Sequence, residues 1–68
     1  MDSRRIGAQI RYWRERRGLT QAALAERAGL SWIYIAKLEG GDRRAPSLTA
    51  LERIARALGV KLRVELTK

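Results

Sequence analysis

Guanidinium groups are the commonest side chains in this sequence that could do chemistry. The chain carries 15 Lys and Arg against 7 Asp and Glu, a formal net charge of +8, and most of the basic residues are arginine. A guanidinium fork can pair with two phosphate oxygens at once, and an excess of positive charge attracts polyanions. These residues therefore predict the binding of a polyanion.

This sequence contains few residues that could support catalysis or bind a metal ion. It contains neither Cys nor His, and its few carboxylates are scattered. Without these residues there is no disulfide, thiolate metal site or cysteine nucleophile, and the usual base for serine chemistry is missing. We predict a protein that is not an enzyme and takes no cofactor or metal. Apolar runs too short for a membrane span, and a start without a signal-peptide core, predict a cytoplasmic protein.

The stretch GLSWIYIAKLEGG combines a turn glycine, a capping serine and a short helical run. Ile35 and Leu38 have the spacing of residues that face a core. Trp32, Ile33 and Lys37 then point outward, which puts two apolar groups and one ammonium on the exposed face of the helix. This stretch is the candidate binding element.

Helix signals are closely spaced on both sides of that stretch. Hydroxyl residues that can cap helix starts are Thr20, Ser31 and Ser47, and glycines that can end helices are Gly18, Gly29 and Gly59. The helices predicted from these signals span about 4–17, 20–28, 31–39 and 47–58. The fold class predicted is all-α, a compact bundle of four to five helices with a short β-strand after it.

The strand is predicted in VKLRVEL, where apolar and charged residues alternate. Its residues are Val60, Leu62, Arg63, Val64, Glu65 and Leu66. A lone strand lacks a ladder partner, so we predict that it pairs with the same strand of a second copy in a homodimer. Charge favours an antiparallel ribbon centred on Val64, with Arg63 opposite Glu65 of the mate, lying on the fourth helix around Leu51 and Leu58. The alternative is a monomer whose tail folds back or frays.

Two short helices around Gly29 have the spacing of a helix-turn-helix. In this motif and in the residues on both sides of it, the chain resembles the Xre/Cro-type DNA-binding domains of bacterial and phage repressors. The resemblance is carried by IGAQIRYWRERRGLTQAALAERAGLS, YIAKLEGG and PSLTALERIARALGV, and it covers most of the chain. It implies a repressor-like DNA-binding domain over 1–59, whose third helix, about 31–39, enters the major groove. Residues 60–68 would then be the dimerisation element.

The resemblance also implies roles for single residues. The positions that match base-facing ones are Trp32, Ile33, Ala36 and Lys37. The positions expected to contact the DNA backbone are Thr20, Gln21, Ser31, Tyr34, Arg43, Arg44, Ser47 and Leu48. Arg14 and Glu39 match a partly buried ion pair with a structural role. For Thr20 and Gln21 the alternative is a cap and a solvated residue of the first turn, and Tyr34 is expected to lie half in the core.

Trp32 and Ile33 depart from the family pattern, which commonly has polar side chains at these positions. Our preferred hypothesis is that both pack on thymine methyl groups, that the Trp32 indole N–H reaches a phosphate or base acceptor, and that Lys37 favours guanine. The alternative is that Trp32 and Ile33 form a protein-binding patch or fold partly against the second helix.

The function predicted is sequence-specific binding of double-stranded DNA, most simply by a transcriptional repressor. One alternative is an antitoxin that binds both its operator and a toxin protein, which the short chain and the predicted strand would suit. Another is a DNA-binding protein engineered on this scaffold, with Trp32 and Ile33 chosen for one target.

Overall fold

The computed structural model describes residues 3–42 and 46–67. Across these residues the chain forms four helices, α1 (Ser3–Arg16), α2 (Gln21–Ala28), α3 (Trp32–Glu39) and α4 (Leu48–Leu58). Their order and bounds agree closely with the helices predicted from the sequence.

Local capping residues set the limits of the last three helices. The hydroxyls of Thr20, Ser31 and Ser47 each accept a hydrogen bond from a backbone N–H in the first turn of the helix that follows. Gly29 and Gly59 end α2 and α4 with φ near 68°, a left-handed conformation that costs glycine little. Short-range hydrogen bonds therefore set the starts of α2, α3 and α4, and left-handed glycines set the ends of α2 and α4.

The core is small and lies between all four helices. Its buried apolar side chains are Ile10, Leu24, Ala25, Ala28, Ile35, Leu38, Leu51, Ile54 and Leu58. Leu24 and Ile35 are completely inaccessible to solvent. In the part of the chain that is described, no helix is both long and apolar enough to cross a bilayer. Leu48, at the start of α4, is 51% exposed, whereas Ala50 is buried.

Gly7 allows α1 to cross α3 at close range. A Cβ built on Gly7 would overlap the backbone carbonyl of Leu38. Because backbone cannot move aside as a flexible side chain can, any larger residue here would push the two helices apart. Gly7 thus positions the C-terminal end of α3, and sequence patterning had not singled it out.

Arg11 lies in α1 and Arg17 directly follows this helix, and the two arginines have distinct environments. Arg11 pairs with Glu15 at 3.6 Å, one turn along the helix, and both side chains are more than half exposed. Arg17 donates from Nε to the carbonyl of Leu58 at 2.9 Å. Its guanidinium also lies 5.2 Å from the centre of the Trp13 ring. Arg17 therefore links the end of α1 to the last turn of α4.

An ion pair connects α1 to the end of α3. Arg14 donates from Nε to Glu39 Oε2 at 2.6 Å and from Nη2 to Oε1 at 2.9 Å, while Nη1 bonds the Leu19 carbonyl at 2.8 Å. The two charged side chains are only 13% and 4% exposed. The hydrogen bond to Glu39 raises the pKa of Arg14 above its usual value, so the guanidinium keeps its charge from acid to well above neutral pH.

The predicted C-terminal strand is wrong. Residues 60–67 form no regular secondary structure, and no strand occurs elsewhere in the described chain. A strand is defined by its ladder partner, and a single helical chain supplies none, so period-two patterning alone did not produce one. Arg63 pairs with Glu65 of the same chain at 3.1 Å. Exposure rises along the segment from Val60, which packs on the core, to fully exposed Leu66.

Glu39→Gln should destabilise the fold by about 3 kcal/mol, because it leaves the Arg14 guanidinium nearly buried without an anion. Glu15→Gln is the matched control. It makes the same chemical change in the exposed Arg11 pair and should cost less than about 0.5 kcal/mol. Urea unfolding followed by circular dichroism measures both values. Equal losses for the two variants would contradict a structural role for the Glu39 pair.

Candidate nucleic-acid interface

A tight turn fixes α3 against α2. The N–H of Leu30 bonds the Ala25 carbonyl at 2.9 Å, and the N–H of Gly29 bonds the Glu26 carbonyl at 3.2 Å. Ser31 then caps α3 by accepting from the backbone N–H of Tyr34 at 3.1 Å. The carbonyls at the end of α2 and a donor at the start of α3 are thereby satisfied, so the turn holds the two helices at one angle.

The outward face of α3, formed by positions 32, 33, 36 and 37, is mainly apolar. Trp32 is 61% exposed and Ile33 is 65% exposed, although both side chains are large and apolar. Ala36 is half-buried and Lys37 is exposed. The four residues that the sequence predicted to face bases thus lie on one side of the helix, opposite buried Ile35 and Leu38.

Gln21 links this face to the Arg14–Glu39 ion pair. The Trp32 indole donates from Nε1 to Gln21 Oε1 at 3.2 Å. Gln21 in turn donates from Nε2 to Glu39 Oε1, also at 3.2 Å. The opposite orientation of the amide would set donor against donor at the indole and oxygen against oxygen at the carboxylate. The surroundings of Gln21 therefore fix which way its amide points.

This hydrogen bond was not expected of either residue. Gln21 was predicted to contact a phosphate and Trp32 to offer its N–H to DNA, and both contacts stay predictions; within the chain the two side chains bond each other. Trp32 is also held partly against α2, as the alternative hypothesis stated, while most of its ring stays exposed. No pattern in the sequence indicates this bond, because the two residues are 11 positions apart on separate helices.

The hydroxyl residues predicted to contact the DNA backbone all serve as caps. Thr20, Ser31 and Ser47 accept backbone N–H groups at 3.0, 3.1 and 3.1 Å respectively. All three residues are exposed. A hydroxyl that accepts a capping bond keeps its own proton to donate, so the cap and a phosphate contact are compatible.

The other residues predicted to contact the backbone are less alike in their surroundings. Tyr34 is half-buried and packs against the core, and Leu48 is exposed at the first position of α4. Arg43 and Arg44 lie outside the described residues. The structure therefore brings the base-facing set together with Gln21, Ser31 and Glu39.

An apolar groove of about 290 Å³ lies away from this face, between α1 and α4. Side chains of both helices line it, and residues 60–63 form its border. Val64, 55% exposed, and Leu66 follow directly along the chain. The tail was predicted to lie on the fourth helix around Leu51 and Leu58, and both of these residues line the groove.

Comparison with known proteins agrees with this geometry. A family model described as helix-turn-helix matches residues 10–64. The immunity repressor protein of Bacillus phage phi105 is 47% identical over 57 residues, which are 84% of this chain and 39% of that protein. The chain thus spans well under half the length of this curated relative.

Two solved structures are similar in fold as well as in sequence. The restriction-modification controller protein C.AhdI from Aeromonas hydrophila matches with a TM-score of 0.83 and 33% identity, over 88% of this chain and 89% of that one. The N-terminal DNA-binding domain of the biofilm regulator SinR from Bacillus subtilis matches with a TM-score of 0.74 and 32% identity, over 82% and 81%. From the motif, the geometry and these matches together, the chain belongs to the Xre/Cro-type helix-turn-helix family.

Proposed function

We propose that this chain binds double-stranded DNA sequence-specifically, with α3 in the major groove, and that it acts as a transcriptional repressor. The observation that carries the proposal is the outward face of α3, where Trp32, Ile33 and Lys37 are exposed on a helix held rigidly by α2. Relatives named as an immunity repressor and a DNA-binding domain support it. A cytoplasmic location and a non-catalytic role belong to the same proposal.

Contacts to the DNA backbone supply the affinity in this proposal. The start of α2 offers the Thr20 hydroxyl and the second amide hydrogen of Gln21, and the start of α4 offers the Ser47 hydroxyl. Helix N-termini carry free N–H groups and partial positive charge, which suit phosphate oxygens. Arg43 and Arg44, which precede α4 in the sequence, add two guanidinium groups. These groups position the protein, and α3 specifies the sequence.

Binding should depend steeply on salt. If about five phosphates are neutralised, the logarithm of the association constant should fall against the logarithm of salt concentration with a slope of about −4 to −5. Fluorescence anisotropy of a labelled duplex, titrated at several salt concentrations, measures the slope. A flat response between low and moderate salt would contradict a phosphate-based interface.

Residues that read bases should differ from residues that merely add charge. Trp32→Ala and Lys37→Ala should each cost about 1 to 3 kcal/mol on the preferred site and blur base preference, because α3 would lose a contact to base edges. Arg56→Ala is the control, because it removes one charge from an exposed position near the end of α4.

The measurement for these variants is a selection from random duplex DNA followed by affinities on the selected and scrambled sites. Arg56→Ala should weaken both duplexes slightly and equally through the long-range potential. If Trp32→Ala leaves DNA binding unchanged and abolishes association with a protein, the protein-patch hypothesis replaces the proposal.

A homodimer completes the proposed function. Two-fold dimers of helix-turn-helix proteins place two reading helices on half-sites one helical turn apart. The groove between α1 and α4 is apolar, and Val64 and Leu66 are exposed beside it. We propose that these two side chains of one copy enter the groove of a second copy without a β-ribbon.

The double variant Val64→Asp, Leu66→Asp should be monomeric at concentrations where the original chain is dimeric, because two carboxylates cannot enter an apolar groove. Both side chains are exposed in the single chain, so its fold should be unaffected. Thr67→Asp is the control, since it adds a carboxylate without removing an apolar group. Sedimentation equilibrium measures all three. A monomeric original chain would remove the dimer and leave the groove to a different protein, as the antitoxin hypothesis requires.

A further inference from the structure

The polar atom of Trp32 is engaged within the protein. An indole has one N–H and no acceptor, and here that N–H donates to Gln21 Oε1. The Gln21 amide is itself held by Glu39, so it cannot rotate without losing a bond to a nearly buried carboxylate. What Trp32 presents outward is therefore carbon.

The neighbouring positions make the same surface larger. Ile33 is 65% exposed beside Trp32, and Ala36 lies one turn after Trp32. Of the four outward positions of α3, Lys37 alone offers a hydrogen-bonding group outward. Because the Trp32–Ile33 surface has no available hydrogen-bond donor or acceptor, it cannot distinguish a donor from an acceptor on a base edge.

The major groove offers such a surface one apolar ligand, the C5-methyl group of thymine. Cytosine methylated at C5 carries a methyl at the same ring position. We propose that Trp32 and Ile33 form a methyl-reading surface whose ligand is the C5-methyl group of a pyrimidine in duplex DNA, in thymine and 5-methylcytosine alike. The proposal rests on the proposed function, because it requires α3 to lie in the major groove.

The size of the effect follows from the area that a methyl group buries. Covering one such group changes a dissociation constant by about fourfold. A polar reader would behave differently, because thymine has an acceptor at C4 where cytosine and 5-methylcytosine have a donor. Methyl reading therefore predicts that the affinity depends on the C5-methyl group when the rest of the base is unchanged, whether the group at C4 is an acceptor or a donor.

The experiment starts from a preferred site obtained by selection on random duplex DNA. Each thymine in it is replaced in turn by deoxyuridine, by cytosine and by 5-methylcytosine, with the opposite base adjusted to keep pairing. At one or more positions deoxyuridine should bind about fourfold more weakly than thymine, and cytosine about fourfold more weakly than 5-methylcytosine. Equal affinity for thymine and deoxyuridine at every position would overturn the proposal.

Variants assign the effect to the surface. Trp32→Ala and Ile33→Ala should reduce the methyl dependence, whereas Lys37→Ala should weaken binding and keep the ratio between methylated and unmethylated sites. Trp32→Phe keeps an aromatic ring without the N–H and should retain methyl dependence. If Trp32→Phe instead loses affinity equally for all four bases, the indole N–H acts on DNA and the proposal is overturned.

The Gln21 bond has a readout that needs no DNA. In the free protein, Gln21→Ala should shift the proton resonance of the Trp32 indole N–H, with the Trp13 indole as internal control; an unchanged Trp32 resonance overturns the proposal. Failure of the selection to yield any bound duplex would overturn the proposed function, and the methyl surface with it. Binding that is sequence-specific but blind to C5-methylation overturns the methyl surface alone.

Discussion

The Glu39 carboxylate is the contact on which the arrangement of the helices depends. It is 4% exposed and accepts hydrogen bonds from Arg14 of α1 and Gln21 of α2, while it belongs to the last residue of α3. A carboxylate so far from water is tolerated only when charge and hydrogen bonds replace its hydration. Three helices must therefore meet at this group, and α3 can take few other positions relative to them.

The apolar core could not impose that precision alone. The chain has 68 residues, and its buried side chains are mostly small or aliphatic, so packing leaves room for helices to slide. Directional bonds to Glu39 and the close approach of Gly7 to the Leu38 carbonyl remove that freedom. In the proposed function, long-range positive charge would attract DNA without fixing any geometry. Affinity and specificity would then come from different parts of the molecule.

What the sequence predicted well was local. Caps at Thr20, Ser31 and Ser47 and the ending at Gly29 are short-range signals, and the helices follow them. The prediction of a strand over Val60 to Leu66 was wrong, because alternation is a property of one segment whereas a ladder needs two paired strands. The Trp32–Gln21 bond depends on how α2 and α3 meet in space, and no periodicity records it. Gly7 was equally invisible, since a glycine inside a helix gives no hint of what crosses it.

Exposed apolar side chains have different consequences on α3 and in the tail. Ile35 and Leu38 anchor α3 from the inside, so its outward positions can change without disturbing the core. Gln21 of α2 differs from these positions, because its amide joins the outer face of α3 to Glu39. A substitution there alters both the orientation of Trp32 and the solvation of a nearly buried carboxylate. If α3 reads bases as proposed, stability and base recognition would be linked at Gln21 and separable at Ile33 and Lys37. In the tail, the exposed side chains of Val64 and Leu66 have no such connection to the core.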